Sequence, residues 1–374
     1  MRPYEGNYYP YFKMKTNSKT SKMKQFLSVI IILFLAQQTF FGQENKKDEP
    51  SGKVLGEFFG DYFYKVAGDT GNLLVGTGQY QQTVKDRNGF EIRRFNLGYE
   101  YNFNSTFYAR LMLEGNDGFT NEKSTRIVYI KYAFLEWKNI FKGSKLTIGA
   151  QSTPTFGTFV EKIWSYRSVE KEILDFHKYA GSNDVGISLS GKFNEPGTLN
   201  YYLMVGNGRS TSVENNNYKR LYGSVYGSLF DKHFLFQLYT DYERQSPVKD
   251  AYLFQGFLGY QNEKITIGAE PFNRLVVNDT LKNESAFGLE LFARGPIIKD
   301  KLNGLFRIDL FNPNTKIDNA GYNETFIVFG LDYTPMKNID IIPNIWINSY
   351  NTKGNTDPDR KGDVVARITF RYKL

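Results

Sequence analysis

The twelve residues DVVARITFRYKL, 363–374, alternate without a break. Val364, Ala366, Ile368, Phe370, Tyr372 and Leu374 share one face, and Arg367, Thr369, Arg371 and Lys373 share the other. Successive strand side chains point to opposite sides, so this is a β-strand with one apolar and one cationic face. Three cations on one face do not suit the core of a soluble sandwich. They suit a wall with lipid on one side and water on the other.

The same period runs back to Gly52 and marks sixteen strands. They cover 52–66, 89–101, 106–114, 126–138, 145–151, 183–193, 198–206, 217–230, 234–243, 251–261, 265–273, 284–294, 302–311, 322–334, 339–350 and 363–374. Short connections (102–105, 139–144, 194–197, 231–233, 262–264, 295–301, 335–338) alternate with longer polar ones (67–88, 115–125, 152–182, 207–216, 245–250, 274–283, 312–321, 351–362). This spacing predicts an all-β fold: a transmembrane antiparallel β-barrel of about 16 strands, with both termini on the short-turn side. Backbone groups in lipid must all be paired, so the sheet has to close, and sixteen strands should leave an aqueous lumen in place of a packed core. Lys131 and Glu136 fall on opposite faces of one strand, so one of them should lie outside the hydrocarbon zone.

Composition agrees. Aromatics make up 17 %, fitting girdles at the two membrane interfaces, and there is no cysteine for disulfides, thiolate metal sites or a lipid anchor. A mean hydropathy of −0.46 excludes a multi-helix membrane protein. The formal charge of +8 comes largely from the first 42 residues; the remainder holds 41 basic and 38 acidic residues, which is no nucleic-acid footprint.

Near the N-terminus, Met23-Lys24-Gln25 precedes the apolar run Phe26–Ala36 and then Gly42. A basic start, a short apolar core and a small residue at the exit predict a secretory signal peptide over 23–42. Residues 1–22 read as an extra segment before a better start at Met23, 43–51 as a charged linker, and 52–374 as the barrel domain.

The alternation fails once for about thirty residues, at STPTFGTFVEKIWSYRSVEKEILDFHKYAGS, 152–182. Val169, Ile173 and Phe176 recur at helical spacing there, predicting a short helix. As the third long connection, it is the candidate to fold into the barrel and narrow it.

Catalytic and metal chemistry find little support. His177 and His233 are the two histidines. Asp175 and Ser168 are near His177 in sequence, but helical neighbours two apart do not face each other. The dense acidic stretch at Asp357 and Asp359 lacks calcium-loop spacing. The sequence predicts no enzyme, no cofactor and no metal.

Several stretches resemble the phosphate-selective (O/P-type) porins of Gram-negative outer membranes: Ile92–Gly98 (IRRFNLG), Tyr132–Trp137 (YAFLEW), Gly149–Gly157 (GAQSTPTFG) and Asn183–Gly191 (NDVGISLSG), in the family's order. The resemblance spans roughly 52–230. It implies a homotrimeric porin in the outer membrane, its third extracellular loop turned inward, passing small hydrophilic solutes or ions, with anions such as phosphate in view. Cations at matching positions are Lys162, Arg167, Lys171 and Lys178 in the loop, with Arg94 and Arg110 on the wall. The loop departs from a purely cationic pattern by carrying Glu161, Glu170, Glu172 and Asp175. Arg94, Arg110, Arg367 and Arg371 would form the positive side of the lumen wall, with Glu100, Glu114, Asp241 and Glu243 as candidate opposites. The expected partners are outer-membrane lipid and the solute, and no nucleic acid. A barrel with enzymatic or adhesive loops, or a secreted polysaccharide-binding β protein, remain the alternatives.

Overall fold

The computed structural model describes residues 49–69, 80–120, 125–316, 321–354 and 357–374. The predicted signal peptide and the segment before it lie outside the described residues. Sixteen strands follow in order: β1 (Ser51–Ala67), β2 (Asn88–Asn102), β3 (Phe107–Thr120), β4 (Arg126–Lys138), β5 (Ser144–Ser152), β6 (Asn183–Lys192), β7 (Leu199–Gly206) and β8 (Arg220–Leu229). Then come β9 (Phe234–Ser246), β10 (Lys249–Gln261), β11 (Thr266–Asn278), β12 (Glu284–Ile298), β13 (Leu302–Asn312), β14 (Tyr322–Met336), β15 (Ile339–Thr352) and β16 (Asp363–Lys373). Each pairs antiparallel with its neighbours, and β1 closes on β16 from Glu57↔Lys373 to Tyr64↔Ala366. Closure leaves no free edge, which is what hydrocarbon demands.

The two faces divide as the pattern requires. Leu203, Leu238, Phe254, Leu258, Phe306 and Ile368 stand exposed on the outer surface, where lipid would cover them. Val365, Arg367 and Thr369 of β16 point inward and are buried.

Three expectations change. The connection expected at 245–250 shrinks to Pro247 and Val248, because β9 and β10 run on. Tyr242 packs its ring at a tilt against Tyr252 and donates to Asp250, and Arg244 Nη2 holds the Pro247 carbonyl at 2.7 Å.

Lys131 and Glu136 both face the lumen. A β-bulge lets Met112 pair with Tyr132 and Leu113 with Ile130, skipping Lys131, so the parity of β4 inverts there. Lys131 then reaches Glu114, and Glu136 reaches Lys145 at 2.7 Å. A second bulge skips Arg93 on β2 and turns both Arg93 and Arg94 inward. Gly60 sits across from it, where a Cβ would stand 2.3 Å from the Glu91 carbonyl oxygen.

The third change concerns the interior. One side of the lumen is a packed core, not water. Phe156, Val160, Trp164, Val169, Ile173, Leu174 and Phe176 of the third loop pack against Phe257, Phe272, Phe292, Phe326, Val328 and Trp346 of the wall. At Gly288 the missing side chain leaves the space that the Phe272 ring and Ile173 Cδ1 occupy.

Candidate functional site

The loop leaves β5 and enters β6 through a sealed neck. Thr153 N–H donates to Ser182 O at 3.2 Å and its hydroxyl to Gly181 O at 2.7 Å. A 3-10 turn (Phe156–Thr158) and α1 (Val160–Trp164) follow, and Ser165 ends α1 in the left-handed conformation at φ 65°. The helix expected around Val169–Phe176 is only α2 (Ile173–Phe176). Residues 165–172 run irregularly instead: Tyr166 O accepts from the Val169 and Glu170 N–H groups in a local turn, and several other carbonyls of the loop turn to side-chain donors.

Arginines of the wall take them. Arg294 Nε donates to Ile163 O at 2.8 Å, and Arg93 to Ser168 O and Val169 O at 2.9 and 2.7 Å. Arg367 donates to Val169 O at 2.9 Å, Arg307 to Lys171 O at 2.5 Å and Arg220 to Tyr179 O at 3.2 Å. A buried carbonyl needs a donor, and a guanidinium offers five in a fixed plane. Acceptors and ring N–H groups complete the clamp: Ile173 N–H donates to Glu290 at 2.9 Å, Trp346 Nε1 to Glu170 at 3.0 Å and Tyr166 OH to Asp332 at 2.9 Å.

The loop therefore has a docked face and an open edge. Glu170 and Glu172 lie on the docked face, buried at 3 % and 0 % exposure. Along the edge, Arg167 bonds Glu161 at 2.6 Å and Asp175 at 2.5 Å. Burial alone would raise the Asp175 carboxyl, but Arg167 and then Lys171 draw it below its usual range, so it stays ionised. Lys162, Lys171 and Lys178 have no carboxylate within 4 Å among the described residues. Lys162 is held below the usual ammonium range, first by burial and then by the Lys145 charge, with Arg110 adding to them and Glu161 opposing.

On the wall, Arg94, Arg110, Glu114, Arg367 and Arg371 all face inward. Their partners are local, not across the lumen as expected. Arg94 lies 3.1 Å from Glu114, Arg110 2.8 Å from Glu100, Arg371 3.0 Å from Glu57 and Arg367 3.7 Å from Asp61. Asp241 and Glu243 belong to Arg220, at 2.7 and 3.8 Å. The sequence reading missed Arg93, Arg220, Arg294 and Arg307. Inward parity on their strands would have found the last three.

His233 Nδ1 lies 2.8 Å from the Gln261 carbonyl oxygen in an exposed turn. His177 stacks on Phe311 at 3.5 Å between ring centroids, and burial, then Arg307, holds its imidazole down to about 3. Ser168 Oγ has no hydrogen-bond partner. Asp357 and Asp359 accept from Gly321 N–H and the Thr352 hydroxyl and so tie loops together. No group of three or more potential metal ligands exists among the described residues.

Solved structures share this architecture. The anion-selective porin from Comamonas acidovorans is 12% identical, matching 87% of this chain and 100% of its own, with a TM-score of 0.63. The outer membrane channel DcaP of Acinetobacter baumannii is 12% identical over 89% of this chain and 99% of its own, at 0.63. The trimer form of in-vitro folded OmpT, an outer membrane protein of Vibrio cholerae, is 10% identical over 87% and 100%, at 0.56. No family model and no curated protein matches the sequence. At such identities the likeness establishes the barrel fold.

Proposed function

We propose that the chain is an outer-membrane pore through which small hydrophilic solutes diffuse passively, with a preference for anions. The observation that carries this reading is the split within the third loop. Glu161 and Asp175 are held by Arg167 and Glu170 by the clamp, while the ammonium groups of Lys162 and Lys171 have no carboxylate within 4 Å among the described residues. The formal balance of four cations and four acids thus becomes a cationic edge. Water reaches the wall opposite, where Arg110 and Lys145 side chains are 31 % and 47 % exposed inside the barrel. Charged groups at a narrow point sort ions by sign.

The fold neighbours support the reading by analogy: one is titled an anion-selective porin, one a channel and one a trimer form. A homotrimer is part of the proposal, as is the narrower kinship with phosphate-selective porins that the sequence stretches imply. The reading takes the third loop as a filter and the chain as a passive channel. Purified protein in a planar lipid bilayer tests the proposal. Discrete current steps are expected, with a reversal potential in a potassium chloride gradient displaced toward chloride. A barrel that inserts without current steps would refute the pore.

A further inference from the structure

Across from the docked loop, the open wall carries aromatic rings that neither the clamp nor the core uses. Tyr108 on β3 and Phe134 and Tyr132 on β4 all face the lumen, with ring centroids 6.0 Å apart for Tyr108–Phe134 and 6.3 Å for Tyr132–Phe134. All three are half-buried, whereas Phe257, Phe272 and Phe326 of the core are covered almost completely. The hydroxyls are already engaged. Tyr108 OH donates to Glu100 at 2.9 Å and accepts from Arg110, and Tyr132 OH accepts from Ser152. What the strip offers a passing solute is ring surface.

One ammonium group stands at the short-turn end of the strip. Lys138 Nζ sits 5.1 Å over the Tyr108 ring and bonds Asn102 Oδ1 at 3.0 Å, with no carboxylate within 4 Å among the described residues. Lys162 of the loop likewise has no carboxylate within 4 Å among the described residues. The strip therefore runs from Tyr132 past Phe134 to Tyr108 and ends beside Lys138 near the short turn.

We propose that this strip selects organic anions that join a carboxylate to an apolar or aromatic body, over inorganic anions and small carboxylates. The proposal rests on the pore reading above and names its substrate class. An inorganic anion gains only the ammonium charges. An arene carboxylate gains those and an edge or face contact with Tyr108 or Phe134 as well. A neutral solute gains nothing from Lys138 and Lys162.

Single channels in a planar bilayer test it, with benzoate and acetate as paired probes added to potassium chloride. Benzoate should block chloride current at a concentration roughly three- to tenfold below that of acetate, the range one aromatic contact provides. Phe134→Ser and Tyr108→Ser should erase the difference, read as the ratio of the two blocking concentrations within each variant, and Lys138→Gln should weaken both probes. Where a serine variant fails the heat-modifiable gel test for folding, Phe134→Leu serves, and it should reduce the benzoate preference. Equal block by the two probes in a conducting wild type overturns the strip and leaves the pore intact. A preference that survives every ring substitution also overturns it. A folded wild type with no conductance refutes the pore reading and the strip together.

Discussion

Arg307 donates from Nη1 to the main-chain carbonyl of Lys171 at 2.5 Å while its Nη2 lies 2.6 Å from Asp309 and 2.9 Å from Glu290. One fully buried guanidinium thus ties the loop to β12 and β13. Removing it would leave buried carboxylates without a cation, a change that costs roughly 3–5 kcal/mol. Arg307→Met should lower the unfolding midpoint and give larger, noisier current steps, because the loop loses its central tether. A variant with wild-type conductance and noise would mean that the other arginines hold the loop alone.

The clamp should also respond to pH through Glu172. Neither of its carboxylate oxygens has a hydrogen-bond donor among the described residues, and Glu290 beside it already accepts the Ile173 N–H. Burial first, then the Glu161 charge, raises the Glu172 carboxyl well above its usual range, against the pull of Arg167. The docked loop therefore favours the protonated form. That contribution is fully present below the ordinary carboxyl value of about 4.3. It is lost as pH rises through the raised one. Conductance should increase and grow noisier from acid to alkaline solution, and Glu172→Gln should flatten the response. His177 is no competing source, since its imidazole is held at about 3. A pH response unchanged in Glu172→Gln would assign it to another group.

The strand series was legible because period two survives wherever one face meets lipid, as in β16. It failed at the bulges. Arg93 and Lys131 each sit where one extra residue inverts the parity, and alternation read along the chain cannot register an insertion that only the partner strand reveals. The loop's position was legible, but its charge was not. Glu170 looks solvated in sequence because lysine follows it, yet Trp346, 176 residues away, claims its carboxylate. Which charges stay free depends on such long-range partners. Composition counts them all alike.

The lipid-facing assignment is testable at Leu238. It lies on β9 between the inward-facing Gln237 and Tyr239 and is 66% exposed on the outer surface. Arginine near the bilayer midplane costs roughly 2–4 kcal/mol. Leu238→Arg should therefore shift urea unfolding in lipid vesicles by that amount. Lys145→Gln, a change inside the lumen, should move it by less than about 0.5 kcal/mol, as a half-exposed ion pair would. Equal shifts for the two would contradict the assignment of faces.

Ion selectivity separates the cations of the loop. Lys162 and Lys171 have no carboxylate within 4 Å among the described residues, so replacing both with glutamine should move the reversal potential in a salt gradient toward zero and leave conductance nearly unchanged. Arg167 has the same formal charge but a different position, bonded to Glu161 and Asp175 and 3.6 Å from Glu172. Arg167→Gln removes one cation and also uncovers two acids at the open edge. It should push the channel further toward cations than the double lysine variant does, even though it removes less formal charge. Selectivity that simply followed the number of charges removed would show that the pairing within the loop has no bearing on the filter.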